Sequence, residues 1–338
     1  MKVDELRKLL SGYEKEDIIK VTVEFYKLIP KAKKDTYNFE DYLNNPDSKK
    51  PAVKSKELID LDKLNNEIQS FIEKAESGLY LRPNREISKK DRTTWRFKVK
   101  NWYNDLAKTQ RDNDDTKKQA KLLKELYNLL CESCAYTYFR TYDTFDSIGV
   151  TQVEFFNSVL LLMEEAEGKI GLIEEGILLI VTNSVNRHTL HRELMSVYLN
   201  FLNSSDLKYK AINTAQKLFE EAILHTSLKK PGHPRLHVKK KYINDDYMND
   251  TVELVLRLYL SLAEYDEGIK YYNMNYNDNY NEVKLYVLIR ILIEFKLPDH
   301  ILSQIDLAKI NKVPVRNDLI ALYDHINFTG EIPKSSIY

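Results

Sequence analysis

Apolar residues recur at spacings of three and four along most of this chain, and that period limits the fold more than any other feature. In "VDELRKLLSGYEKEDIIKVTVEFYKLIP" (3–30), Ile18, Val21, Phe25 and Leu28 fall on one stripe of a helix. Ser11 and Gly12 break the segment into two helices, and Pro30 stops the second. Strand-like alternation is scarce. The supply of turn formers points the same way: 338 residues contain nine Gly and nine Pro, about half or less of average usage. Tight turns and barrel corners consume those residues, so the chain favours long helices joined by polar loops.

A short helix is expected near 39–44. It leads into "NNPDSKKPAVKSKE" (44–57), which is polar, basic and holds two prolines. This gives a small helical module over 1–45, a basic linker over 46–57 and a helical body over 58–338. Within the body, helical periodicity runs over 58–76 and "LYLRPNREISKKD" (79–91) reads as a loop. A long helix spans roughly 114–141, entered through the acids of "DNDD". Three more helices follow over 151–166, 169–185 and 189–203. The first two of these are apolar on more than one side, as central helices are, so the main core is expected near residues 120–225. The expected class is all-α, with an irregular helical-hairpin body that becomes repeat-like from about 189 onward.

"VLRLYLSLAEYDEGIKYYNMNY" (255–276) resembles the turn region of a tetratricopeptide repeat, with Leu256, Ala263, Tyr265, Gly268 and Tyr272 at the small or aromatic positions. The likeness covers about one repeat, has Gly268 where that family usually has Ala, and lacks the closing proline. It implies stacked helical hairpins that offer a surface to a protein or peptide. "LRPNREISKKDRTTWRFKVKNWYNDL" through "FDSIGVTQVEFF", with "LRKLLSGYEKEDIIKVTVEFYKLIPKAKK", is similar to uncharacterised helical proteins widespread in bacteria. That resemblance carries no catalytic residue.

Formal net charge is zero, but residues 1–100 hold 23 Lys and Arg against 18 Asp and Glu, so the remainder carries −5. The basic excess centres on "SKKDRTTWRFKVKNWYNDL" (88–106). On a helix Trp95, Val99, Trp102 and Leu106 share one face, Arg92, Arg96 and Lys100 share an adjoining one, and Phe97 points nearly opposite the tryptophans. Rings and cations on neighbouring sides describe a core-facing helix with a solvated rim. A platform for nucleic acid wants rings exposed among the cations. Eight Lys and Arg against two acids in 82–100 nevertheless make the basic row a candidate phosphate contact.

A second basic run, "HTSLKKPGHPRLHVKKKY" (225–242), has six Lys and Arg, three His and no acid. Its candidate contacts are Arg235, Lys239, Lys240 and Lys241. A nucleic-acid surface built from both runs requires them to meet on one face. Residues 243–278 are the acidic counterpart, with eight Asp and Glu against two Lys and Arg. Opposed patches suit self-association or a charged protein partner, and they equally suit two separate solvent faces.

Chemistry is thinly marked. Cys131 and Cys134 form half a zinc site at most and read as buried, inert thiols on one side of a helix. Arg187 and His191 loosely resemble the Arg…His pair of helical ribonucleases found in toxins and phage defence, but the interval is shorter than that family requires. His188 and His191 have helical spacing for a metal and no third ligand. Glu164, Glu165, Glu167, Glu174 and Glu175 flank a turn at Gly168 and read as exposed helix ends. The chain has no GxxxxGK[ST], no Rossmann glycine pattern and no G-x-S-x-G, and no cofactor is expected. "IGLIEEGILLIV" (170–181) is too short and too acidic at its centre to span a bilayer. "MKVDELRKLL" lacks a signal-peptide core. The expectation is a cytoplasmic, non-enzymatic interaction protein that binds a protein or peptide on its helical surface. The alternative is a nucleic-acid-associated protein, of the kind met in bacterial defence, contacting phosphates through 82–100 and 229–241; RNA cleavage comes third. Oligomeric state is left open.

Overall fold

The computed structural model of the chain describes residues 3–36, 39–44, 60–107, 113–227 and 245–333. Among these residues every regular element is a helix, so the class is all-α. No helix in them is long and apolar enough to cross a membrane. The chain divides into two units, 1–59 and 60–338.

The first unit contains α1 (Val3–Leu10), α2 (Lys15–Leu28), α3 (Lys31–Thr36) and α4 (Phe39–Asn44). The break after Leu10 and the stop before Pro30 fall where Ser11-Gly12 and the proline place them. α2 buries none of its residues, and Phe25 and Leu28 are exposed. Its surface carries Lys20–Asp17 at 3.3 Å and Lys27–Glu24 at 2.7 Å, each adding about 0.2–0.5 kcal/mol to helix formation.

The second unit opens with α5 (Leu61–Glu76), capped by the Asp60 carboxylate, which accepts from the backbone N–H groups of Asp62 and Lys63. α6 (Lys89–Ala107), α7 (Asn113–Ala135), α8 (Thr144–Ile148) and α9 (Gln152–Val181) follow. α7 and α9 pack against each other, and α9 also meets α6. Gly168 breaks α9 with φ 72° and ψ 175°, a conformation open to glycine. The run from α10 (His191–Phe201) and α11 (Ser205–Ser227) to α12 (Asp245–Ser261) also packs on α9. α13 (Tyr265–Asn275), α14 (Asn281–Glu294), α15 (Pro298–Ile310) and α16 (Asn317–Thr329) complete the unit.

The core reaches further than the sequence suggests, from Leu61 to Ile326. One part is aromatic: Phe71 meets Trp102 edge-on at 5.3 Å, and Trp95 stacks on Phe139 at 4.0 Å. Another is a mainly aliphatic cluster over 219–326, in which Leu256, Ile289, Leu292 and Ile305 are sealed. α12 and α13 form a hairpin whose turn places Ala263 at φ 61°. Gly268 lies so close to α12 that an added Cβ would come within 2.8 Å of the Tyr259 Cβ. An alanine there collides unless the hairpin opens, which accounts for the glycine.

The long helix expected over 114–141 ends at Ala135. Residues 136–143 leave the helix because "YTYFRTYD" is almost all aromatic and β-branched, with low helix propensity. The departure carries Phe139 into the aromatic core. Asp143 then starts α8, its Oδ1 accepting from Asp146 N at 3.0 Å.

Candidate functional site

α6 behaves as its spacing predicts. Trp95, Val99, Trp102 and Leu106 are buried, while Phe97 is 55% exposed. The cationic row then faces something the sequence does not reveal. Lys89, Arg92 and Arg96 line a cavity of about 470 Å³, closed on the other side by Tyr80, Arg140 and Thr141. Arg140 belongs to the non-helical segment after α7, so the loop that buries Phe139 also turns a fourth cation toward α6.

No acid lines this cavity, and none of its four cations forms an ion pair among the described residues. Arg92 is held in place by a hydrogen bond from Nη1 to the carbonyl of Ile87. The Arg96 guanidinium lies 4.8 Å from the exposed Phe97 ring. Asp91 is the nearest acid in sequence. It accepts from Ser88 Oγ at 2.7 Å, and with burial it pushes the Tyr80 hydroxyl up to about 12, burial being the larger cause. Lys100 does not line the cavity; its Nζ approaches Gly149 O at 3.5 Å. The structure therefore gathers Arg92 and Arg96 with Lys89 and Arg140, and leaves Lys100 beside them. Arg235, Lys239, Lys240 and Lys241 lie outside the described residues.

Thr141 also lines a second, smaller cavity of about 190 Å³, walled by Ser133, Tyr136, Tyr142, Asp143, Asn186 and Arg187 among others. Tyr142 is 82% exposed and Tyr136 58%. The Arg187 guanidinium sits 3.3 Å from the Tyr142 ring centroid, a geometry that favours the cation on the ring's negative face. Hydrogen bonds fix the floor. Ser133 Oγ meets Thr144 Oγ1 at 3.0 Å, and Thr144 Oγ1 donates to Leu130 O at 3.2 Å. Fully buried Gln152 donates to Ser184 O at 3.0 Å and accepts from Asn186 N at 2.8 Å, tying the loop after α9 to the site. Cys134 lines the same wall, and burial pushes its thiol up to about 11, so it stays protonated. The signal for this region in the sequence is the run of Tyr, Thr and Phe across 136–142.

A group of charges around α10, α12 and α14 is paired. At the start of α10, His191 Nδ1 lies 3.3 Å from Asp250 and its Nε2 lies 3.3 Å from Asn183 O. Both ring nitrogens thus face oxygen, and a single N–H cannot serve both. Arg187 and His191 are directed to different partners and form no joint centre. Glu294 accepts from Arg257 at 2.5 Å and from Arg192 at 3.0 Å. Arg257 is only 4% exposed, and its Nε has no partner among the described residues. Burial, with Asp246 nearby, pushes the Asp250 carboxyl up to about 7. Burial does the same to Glu253, also to about 7, although Arg257 and His191 pull it down. Of the acidic run, Asp250 and Glu253 therefore belong to a largely internal network, whereas Asp266 and Glu267 are exposed.

Two of the α9 carboxylates are paired, Glu175 with Lys124 at 2.9 Å and Glu164 with Lys169 at 3.4 Å, while Glu165, Glu167 and Glu174 are exposed. Cys131 and Cys134 form no disulfide among the described residues, and the first is fully buried. Among the described residues no three His, Cys, Asp or Glu side chains gather as metal ligands.

No protein-family model matches the sequence, no curated protein matches it, and no solved structure matches its fold.

Proposed function

We propose that this protein binds single-stranded nucleic acid through the face made by α6 and the segment 136–143. One observation carries the reading: four cations from two separate segments converge on a cavity that no acid lines among the described residues, and the adjoining cavity, which shares Thr141, carries the exposed rings of Tyr136 and Tyr142. Phosphates would lie on Lys89, Arg92, Arg96 and Arg140. Bases would stack on Tyr142 and Tyr136, a contact worth about 1–3 kcal/mol per base. An A- or B-form duplex hides its base faces, so exposed rings favour a single strand.

The test is fluorescence anisotropy of a labelled 12-nucleotide single strand against the wild type and an Arg92→Glu, Arg96→Glu, Arg140→Glu variant. The expected result is binding by the wild type and loss of more than tenfold in affinity in the variant, with an unchanged melting temperature. Equal affinity in the two proteins removes this face as the binding site.

A protein or peptide partner has one specific support. A cavity of about 380 Å³ between α13, α14 and α15 combines the side-chain amides of Asn273, Asn281 and Gln304 with Leu285, Leu288 and Leu307. Amides can pair with an extended peptide backbone while the leucines take an apolar side chain. Substitutions at Asn273 and Gln304 leave the nucleic-acid reading untouched, so the two surfaces are separable.

A further inference from the structure

The smaller cavity holds a feature that phosphate binding does not use. Asp143 is 8% exposed and Asn186 6%, yet both line it. One carboxylate oxygen of Asp143, Oδ1, accepts from Asp146 N at 3.0 Å and, at the limit of range, from Asn186 Nδ2 at 3.5 Å. The other, Oδ2, accepts nothing from the described residues. Among the described residues, the buried side-chain atoms that lack a partner are Arg257 Nε and Tyr271 OH. Oδ2 is not among them, so it is open to the cavity. An accessible carboxylate oxygen on a side chain otherwise so enclosed is free to accept from the N–H groups of a ligand.

Three properties restrict that ligand. The cavity, at about 190 Å³, lies below the range of about 300–1,000 Å³ usual for drug-sized molecules. A single planar ring system suits it. The rim is aromatic, with Tyr142 and Tyr136 beside Arg187, which suits a π-face. The free oxygen accepts at two lone pairs, which suits a ring edge bearing adjacent N–H donors. Among the common bases guanine presents two such donors side by side, N1–H and N2–H. Adenine and cytosine each offer an amino group next to an unprotonated ring nitrogen, which would face the carboxylate as a second acceptor.

We infer that this cavity is a guanine pocket: Asp143 Oδ2 accepts from N1–H and N2–H of a guanine whose ring lies against Tyr142. The inference rests on the single-strand reading above, with Thr141 on the wall common to the pocket and the phosphate cleft. A strand lying on Arg96 and Arg140 would deliver one base into the pocket.

The experiment has two arms. In the first, labelled 12-mers of uridine carrying one central guanosine, inosine or adenosine are titrated by anisotropy. Wild-type protein is expected to bind the guanosine strand about tenfold or more tighter than the adenosine strand, with inosine, which lacks the N2 amine, between them. Asp143→Asn keeps a helix cap, since Asn caps as well as Asp, and is expected to bring the guanosine and adenosine strands within about twofold. Tyr142→Ala, at a position too exposed to affect folding, is expected to weaken all three strands.

In the second arm, guanosine 5′-monophosphate and adenosine 5′-monophosphate are titrated by calorimetry, and only the guanine nucleotide is expected to bind, in an Asp143-dependent way. Equal affinity for the guanosine and adenosine strands overturns the pocket while leaving the strand reading intact. Guanosine monophosphate binding that needs Asp143, without binding of any 12-mer, upholds the pocket and overturns the strand reading. Binding of neither overturns both.

Discussion

The body of this protein handles charge in two opposite ways. Around α10, α12 and α14, Arg192 and Arg257 share Glu294, and Asp250 faces His191, so the charges are largely enclosed and answered by neighbours. Around α6 and the 136–143 segment, Lys89, Arg92, Arg96 and Arg140 converge with no carboxylate between them. Pairing spends a charge on structure. Charges left unpaired around a concavity remain available to an anion, at the cost of mutual repulsion that the fold tolerates because they are solvated. Substitutions in the first region should therefore move stability, and substitutions in the second should move binding.

The largest expected effect lies in the first region. Glu294→Ala strands the nearly sealed Arg257. Breaking a buried pair costs about 3–5 kcal/mol, and the lower end applies here because the Glu294 side chain is 27% exposed. Chemical denaturation should show that loss with little change in the affinity of the native protein for a single strand. Next comes the cleft: Arg92→Ala with Arg96→Ala is expected to weaken a single strand about tenfold or more at low salt, with the melting temperature unmoved. Tyr142→Ala should then cost about 1–3 kcal/mol in binding, at most two powers of ten in affinity, and leave folding alone.

The paired region also carries a pH dependence. Asp250 and Glu253 have carboxyls raised to about 7, so the folded protein retains protons that the unfolded chain has already released. Their stabilising contribution is complete below the ordinary carboxylate range near 4 and is lost as pH climbs to about 7. The protein should melt a few degrees lower at pH 8 than at pH 5. Asp250→Asn should remove part of that difference by raising the melting temperature at pH 8. A melting temperature that rises between pH 5 and pH 8 contradicts this account of the network.

How much of this was legible in the sequence follows from the range of each interaction. The helical class and most boundaries rest on local periodicity and on Gly12, Pro30 and Gly168, and these were readable. So was the burial of Trp95 and Trp102, because their spacing sets one face of α6. The end of α7 at Ala135 is not legible in the periodicity. An apolar run of Tyr, Phe and Thr can continue a pattern while lacking helix propensity, and Phe139 leaves the helix to stack on Trp95, about forty residues away.

The site depends on that departure. Arg92 and Arg96 were visible as a row. Their convergence with Arg140, and the placing of Tyr142 under Arg187, come from contacts between segments that no local pattern records. The acids of 243–278 illustrate the converse. They read as one patch, yet Asp250 and Glu253 are half-buried, with Asp250 against His191.

The most direct measurement is the salt dependence of single-strand affinity for the wild type and for the Arg92→Ala, Arg96→Ala, Arg140→Ala variant. Each phosphate contact on a single strand contributes a slope of about −0.7 in log K against log salt. The wild type should therefore show about −2 to −3, and the variant should lie about two units closer to zero. Identical slopes in the two proteins would mean that the unpaired cations of the α6 cleft do not hold phosphates, and the central claim would fall.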